Sequence, residues 1–201
     1  RKNRVMKLVL GLGNIGKDYE GTRHNIGFMC LDTWAKKHNL TFRSNQLYYF
    51  IQYKNASLIK PKTFMNRSGL ALKEASLKWN CSEALVIYDD IELPLASLRV
   101  RTGGGDGGHN GIKSLLEIFP PENLKRIRIG IGRSEENPRD YVLDKFTQEE
   151  LSALMPAIEL ACDFIDIYID KDFNAVLDAY SIWKKTFSEK IVPGNESPKE
   201  K

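Results

Sequence analysis

The chain has 201 residues, 42% of them hydrophobic and 28% charged, enough for one soluble domain with a sizeable core of its own. No apolar run reaches the ~18–20 residues of a membrane helix, and no apolar signal core follows Arg1-Lys2-Asn3-Arg4-Val5, so a cytoplasmic protein without membrane attachment is expected. The formal net charge of +4 hides an asymmetry: residues 1–132 carry 21 Lys/Arg against 11 Asp/Glu, whereas residues 133–201 carry 9 against 15.

Val5-Met6-Lys7-Leu8-Val9-Leu10 is a β-rich apolar run ending in glycines and reads as a central strand. Ile26, Met29, Cys30 and Trp34 recur at helical spacing, which predicts a helix over 26–38. Residues 48–53 and 57–60 form a predicted strand pair that turns at Lys54-Asn55. A second amphipathic helix is predicted over 68–79, with Leu70, Leu72, Ala75 and Trp79 facing inward. Residues 84–88 form a short buried strand running straight into Asp89-Asp90, and Leu98-Arg99-Val100-Arg101 alternates as another strand. The glycine-rich loop 103–108 precedes a predicted helix over 110–119, and Arg126 to Ile131 alternates so that one face is core and the other positive. Two acidic helices are expected over 148–169 and 173–187, and the polar tail 188–201, with Pro193 and Pro198, is expected to be disordered. The fold class is therefore α/β: a single domain, residues 1–187, with a mixed, mostly parallel sheet flanked by helices, the C-terminal ones acidic. Cys30, Cys81 and Cys162 lie too far apart for a zinc site and are expected to be buried reduced thiols.

Thr33 to Lys73 contains eight Lys/Arg and no carboxylate, which points to a polyanionic partner. Gly11-Leu12-Gly13-Asn14-Ile15-Gly16 has the spacing of a dinucleotide fingerprint, but the acid that should follow about 20 residues on is missing, since Asp32 falls inside the helix. Of the three histidines, His38 sits beside Lys36 and Lys37 and is expected at the surface. His24 opens a helix, as does His109-Asn110-Gly111; Thr63-Phe64-Met65-Asn66 precedes another, and Asp89-Asp90 follows a strand. In an open α/β sheet such ends converge on one crevice. Alternation along a strand means that only one of Asp89 and Asp90 need face it. Taken singly each asparagine could be no more than a helix cap. Together they suggest more. A carboxylate bonded to a histidine fixes its tautomer and raises its basicity. With no serine in a nucleophile elbow and no cysteine beside a histidine, the nucleophile is water activated by a histidine base. Asparagine amides can then steady a developing oxyanion or aim the water.

Taken jointly, residues 11–16, Tyr19, residues 21–25, Phe64-Met65-Asn66, Asp89, residues 107–111 and residues 128–132 resemble the bacterial-type peptidyl-tRNA hydrolase family, in the expected order from about Met6 to Ile169. That resemblance implies a monomeric enzyme, free of metal and cofactor, that cleaves the ester between a peptide and the 3′ end of tRNA. It implies His24 as general base, Asp89 as its supporting carboxylate and Asn14 as the residue that distinguishes a blocked peptidyl end from a free amino acid. Asn66, His109 and Asn110 would hold substrate and water, with Tyr19 and Phe64 around the terminal nucleotide and Met65 packed close by. Arg101 and Arg128 would clamp the tRNA 5′ phosphate, a contact that reads no base sequence. Asp106, a negative charge in a tRNA-facing loop, departs from the common pattern, as do the residues around Asp89 in the segment 88–94. A non-catalytic RNA-binding protein on the same fold is the competing reading, and it has no need of the His24, Asp89, Asn14, Asn66 and Asn110 set.

Overall fold

Alternation along the strands sends successive side chains into two separate cores, one on each face of a single sheet. The computed structural model describes residues 5–135 and 137–191. Its strands are β1 (Lys7–Gly11), β2 (Arg43–Ser44), β3 (Tyr48–Tyr53), β4 (Ala56–Pro61), β5 (Ala84–Asp90), β6 (Leu98–Thr102) and β7 (Leu124–Gly130). Its helices are α1 (Ile26–Lys37), α2 (Ser68–Trp79), α3 (Asn110–Leu116), α4 (Pro138–Leu143), α5 (Gln148–Asp170) and α6 (Phe173–Ile191). Val9, Leu58, Leu85, Ile87, Ile127 and Ile129 point to the face covered by α1, α5 and α6, while Leu8, Leu10, Ile59, Val86 and Tyr88 point to the face covered by α2 and α3.

The sheet order is β2-β3-β4-β1-β5-β7-β6. Only the four central strands run parallel; the hairpin β3-β4, the short β2 and the edge strand β6 pair antiparallel, so the sheet is mixed, and mostly parallel describes its centre alone. Because the chain moves from β1 to β4 on one side and then to β5 on the other, connections leave β1 in opposite directions and open a crevice at its C-terminal end.

Four expectations from the sequence need correcting. Leu70 is 43% exposed rather than inward, because the α2 stripe is set by Leu72, Ala75 and Trp79. His38 is half-buried, stacked on Trp34 and hydrogen-bonded at 2.9 Å to Asp166 of α5, a partner far off in the sequence. Asp89 and Asp90 belong to β5 itself. The basic stretch 33–73 is also partly neutralised within the fold: Lys37 pairs with Asp163, Lys54 with Asp170 and Lys60 with Asp32. Helix α6 continues to Ile191, and the rest of the polar tail, 192–201, lies outside the described residues. The three cysteines are buried and form no disulfide; burial pushes the Cys81 thiol up to about 11 and that of Cys162 to about 12, which keeps both protonated.

Helix α1 reaches the sheet through a glycine. A Cβ on Gly27 would stand 2.4 Å from the Ile87 carbonyl oxygen and 2.5 Å from the Leu12 nitrogen, so only a bare backbone lets α1 seat against β1 and β5. Gly27→Ala is expected to destabilise the fold by roughly 1–3 kcal/mol through overpacking, read as a lower urea midpoint with an unchanged m-value.

Candidate active site

The crevice beyond β1 and β5 opens into a cleft of about 1100 Å³. All eleven predicted site residues line it: Asn14 from the loop after β1, Tyr19 and His24 from the turns before α1, Phe64, Met65 and Asn66 before α2, Asp89 on β5, Arg101 on β6, His109 and Asn110 at the start of α3, and Arg128 on β7.

At its floor, one carboxylate joins two imidazoles. Asp89 Oδ2 lies 2.8 Å from His24 Nδ1, and Asp89 Oδ1 lies 2.8 Å from His109 Nε2. The second contact settles a tautomer. His109 Nδ1 accepts the backbone N–H groups of Gly111 and Ile112 at 3.1 and 3.3 Å, capping α3, so the neutral ring carries its proton on Nε2 and donates it to Asp89. His24 donates from Nδ1 to the same carboxylate, which leaves Nε2 as the ring's acceptor. Burial alone would raise the Asp89 carboxyl, but the two imidazoles beside it hold it well below the usual carboxylate range. Burial likewise opposes charge on His24, yet the Asp89 carboxylate and its hydrogen bond outweigh this and raise the imidazole above its ordinary value. One ligand atom from each of these residues lies within 4.8 Å of the others, close enough to hold a metal ion. The donor set does not suit one, because His109 Nε2 could bind a metal only by losing the proton that its cap on α3 places there.

Asn14 is locked from two directions. Its backbone N–H donates to Asn25 Oδ1 and its carbonyl accepts from Asn25 Nδ2, at 2.8 and 2.9 Å. Its Oδ1 accepts the Met65 N–H at 2.7 Å, so the NH2 group of the amide is what it has left to offer. Asn66 and Asn110 are exposed on the cleft and, among the described residues, spend no side-chain hydrogen bond on the fold. Phe64 carries φ +63° and ψ 160°, a conformation natural only to glycine. Its half-exposed ring stands edge-on to Tyr19, with centroids 6.3 Å apart.

The opposite wall is basic, and less of its charge is free than the sequence implies. In the β6–β7 register Arg99 stands opposite Arg128 and Arg101 opposite Arg126. Arg128 is ion-paired with Asp90 at 2.5 Å, and Arg126 is buried. Arg101 is exposed and, among the described residues, spends no hydrogen bond or ion pair on the fold. Both Asp89 and Asp90 reach the cleft, one on each face of β5, because the cleft wraps round the strand end. Asp106 acts locally, its carboxylate accepting the Gly108 N–H at 2.7 Å and turning the glycine-rich loop. Sequence reading missed Tyr88, Arg126 and helix α4, whose Pro138, Arg139, Val142 and Leu143 roof the cleft. Asn137 before Pro138 was a legible helix start, and its Oδ1 does cap Arg139 N–H. Buried Arg23 anchors the segment around this roof, donating to both Glu150 carboxylate oxygens at 3.1 Å and stacking 4.2 Å from the Tyr141 ring.

A histidine hydrogen-bonded to a buried carboxylate, with uncommitted amides nearby at the strand ends of an open α/β sheet, is an arrangement suited to hydrolysis. The comparisons with known proteins agree. The sequence profile of the family described as peptidyl-tRNA hydrolase matches residues 8–190. Curated peptidyl-tRNA hydrolases of Syntrophomonas wolfei and Campylobacter jejuni subsp. doylei are 39% and 41% identical, over 88% of this chain and 100% and 99% of theirs. The crystal structure of peptidyl-tRNA hydrolase from Acinetobacter baumannii superposes with a TM-score of 0.77 at 31% identity, covering 86% of this chain and 93% of that one. The chain belongs to the peptidyl-tRNA hydrolase family.

Phe64→Gly relieves the strained φ, a gain of about 1 kcal/mol net of glycine's own entropy cost, whereas Phe64→Ala gives up the same half-buried ring and keeps the strain; the glycine variant is therefore expected to melt at the higher temperature of the two, and equal melting temperatures would overturn this. Asp89→Asn removes the charge that favours the His24 imidazolium and leaves burial to oppose it. The His24 ring, followed by NMR, should then titrate below the ordinary ~6.5 rather than above it.

Proposed function

We propose that this chain hydrolyses the ester between a peptide and the 3′ end of tRNA, with His24 as the general base. The reading rests above all on the His24 Nδ1–Asp89 Oδ2 hydrogen bond, which in the neutral ring leaves Nε2 unprotonated and available to a water in the cleft. His24 Nε2 takes a proton from that water as its oxygen bonds to the acyl carbon. The tetrahedral oxyanion collapses by breaking the bond to the ribose oxygen, and the proton on Nε2 passes to that oxygen, which leaves as the tRNA hydroxyl. Asp89 stays ionised throughout and stabilises the transient imidazolium. The amides of Asn66 and Asn110, uncommitted in the fold, hold the water and donate to the oxyanion.

Asn14 acts on the other side of the scissile bond. Its NH2 group donates to the carbonyl of a peptide or blocked amino acid; an unblocked α-ammonium offers only donors and cannot accept it. Tyr19 and Phe64 supply ring faces for the terminal nucleotide. Arg101 meets the tRNA backbone phosphate, joined by Arg128 once the phosphate competes with Asp90; such contacts bring affinity without base readout.

The deciding measurement is hydrolysis of an N-blocked aminoacyl-tRNA beside its unblocked counterpart. The blocked ester is expected to be cut, with turnover unaffected by a chelator, and the unblocked ester spared. His24→Ala should lower kcat by at least ~100-fold with the fold intact. A protein that shifts tRNA in a gel yet leaves the ester uncut would be the RNA-binding alternative instead.

A further inference from the structure

Arg126 lies on the basic face of β7, directly opposite Arg101, where a phosphate contact would be the obvious assignment. Its surroundings say otherwise. The residue is 3% exposed, and its two terminal nitrogens each donate to a carbonyl of the glycine-rich loop: Nη1 to Gly105 O and Nη2 to Gly104 O, both at 2.6 Å. Among the described residues no carboxylate pairs with it, so those two carbonyls are the main compensation for a buried charge.

The loop has little else to hold it. Gly103, Gly104, Gly107 and Gly108 all adopt positive φ, and a Cβ built on Gly105, Gly107 or Gly108 would touch nothing within 4 Å, so the loop lies open on the Cβ side of those three residues. Its other ties are the Gly103 N–H to Leu124 O at 3.3 Å and the turn that Asp106 makes with Gly108 and His109. Yet this loop walls the cleft and delivers His109, which bonds to Asp89, and Asn110. A glycine-rich segment has the most conformational freedom to lose, and here that loss falls on a few fixed points.

We propose that Arg126 is a positioning residue: a guanidinium clamp across two consecutive carbonyls that holds the glycine-rich loop, and through it His109 and Asn110, in place as the cleft wall, and that it does not bind tRNA phosphate. The planar fork matters as well as the charge, since a lysine ammonium presents no pair of parallel donors to straddle Gly104 and Gly105. The consequence for turnover rests on the hydrolase reading; the consequence for the loop does not.

The test uses Arg126→Lys and Arg126→Met in the full chain, with Arg101→Ala as the phosphate-contact comparison. Hydrogen exchange on the free protein should show the amides of Gly103, Gly108 and His109 losing protection in both Arg126 variants. With N-blocked aminoacyl-tRNA, kcat should fall ~10–100-fold, as for a displaced catalytic constellation. The slope of log K against log salt for tRNA binding should stay at the wild-type value in both, while Arg101→Ala flattens it by about one. Wild-type protection in Arg126→Lys would overturn the clamp, and a slope lowered by about one in Arg126→Met would make Arg126 a phosphate ligand. If the Met variant does not fold, Arg126→Lys and Arg126→Gln carry the comparison. A wild-type chain that cuts no ester would sink the proposed function, while the exchange measurement would still judge the clamp.

Discussion

A single carboxylate near the end of a central strand has to satisfy two histidines that arrive from opposite sides. Asp89 is 3% exposed, and a carboxylate that far out of water is tolerable only when fully hydrogen-bonded. His24 reaches it from the turn before α1 and His109 from the start of α3, helices that pack on different faces of the sheet. Each helix must therefore stand at a set distance from β5. Gly27 makes that possible for α1 by letting backbone meet backbone. For α3, the His109 ring serves at once as helix cap and as donor to Asp89. The tautomers of both rings follow from this one junction, and so does the availability of His24 Nε2.

Charge is arranged on the same plan of local offsets. Placing Arg99 opposite Arg128 and Arg101 opposite Arg126 sets like charges side by side, which destabilises a strand pair unless something intervenes. Asp90 answers Arg128 and two loop carbonyls answer Arg126, so of the three strand arginines that line the cleft Arg101 is the freest. Farther away, the acidic helix α5 lies against the basic N-terminal part through Lys37, His38, Lys54 and Arg23. Two of these pairs, Lys37–Asp163 and Lys54–Asp170, are exposed and contribute little stability each. Their larger effect is to remove positive charge from a region that the sequence alone presents as a continuous basic stretch.

The local signals in the sequence carried well. Apolar runs and their alternation located β1, the β3–β4 hairpin, β5, β6 and β7 to within a residue or two, and α2 at its exact bounds. Helix α3 ended three residues early, at Leu116, where Ile118 and Phe119 turn back on the Leu115 carbonyl instead. The site residues were legible because each sits at a strand end or helix start marked by a short polar motif, and an open sheet gathers such ends. Arg126 escaped notice as a separate actor, since on an alternating strand it looks the same as Arg128. Leu70 and His38 went wrong for a shared reason: exposure depends on what a distant element covers.

Sequence alone thus determined the α/β class, the strand and helix identities apart from β2 and α4, the family likeness and the set of polar residues at the cleft. These depend on periodicity and on short motifs, which are written along the chain. Tertiary structure decided which nitrogen of each histidine bears the proton, which arginines are already spent, and that Asp89 serves two rings at once. Those are questions of which group stands within about 3 Å of which, and hydrogen bonds and ion pairs between residues 20 to 130 positions apart have no periodic trace in the sequence.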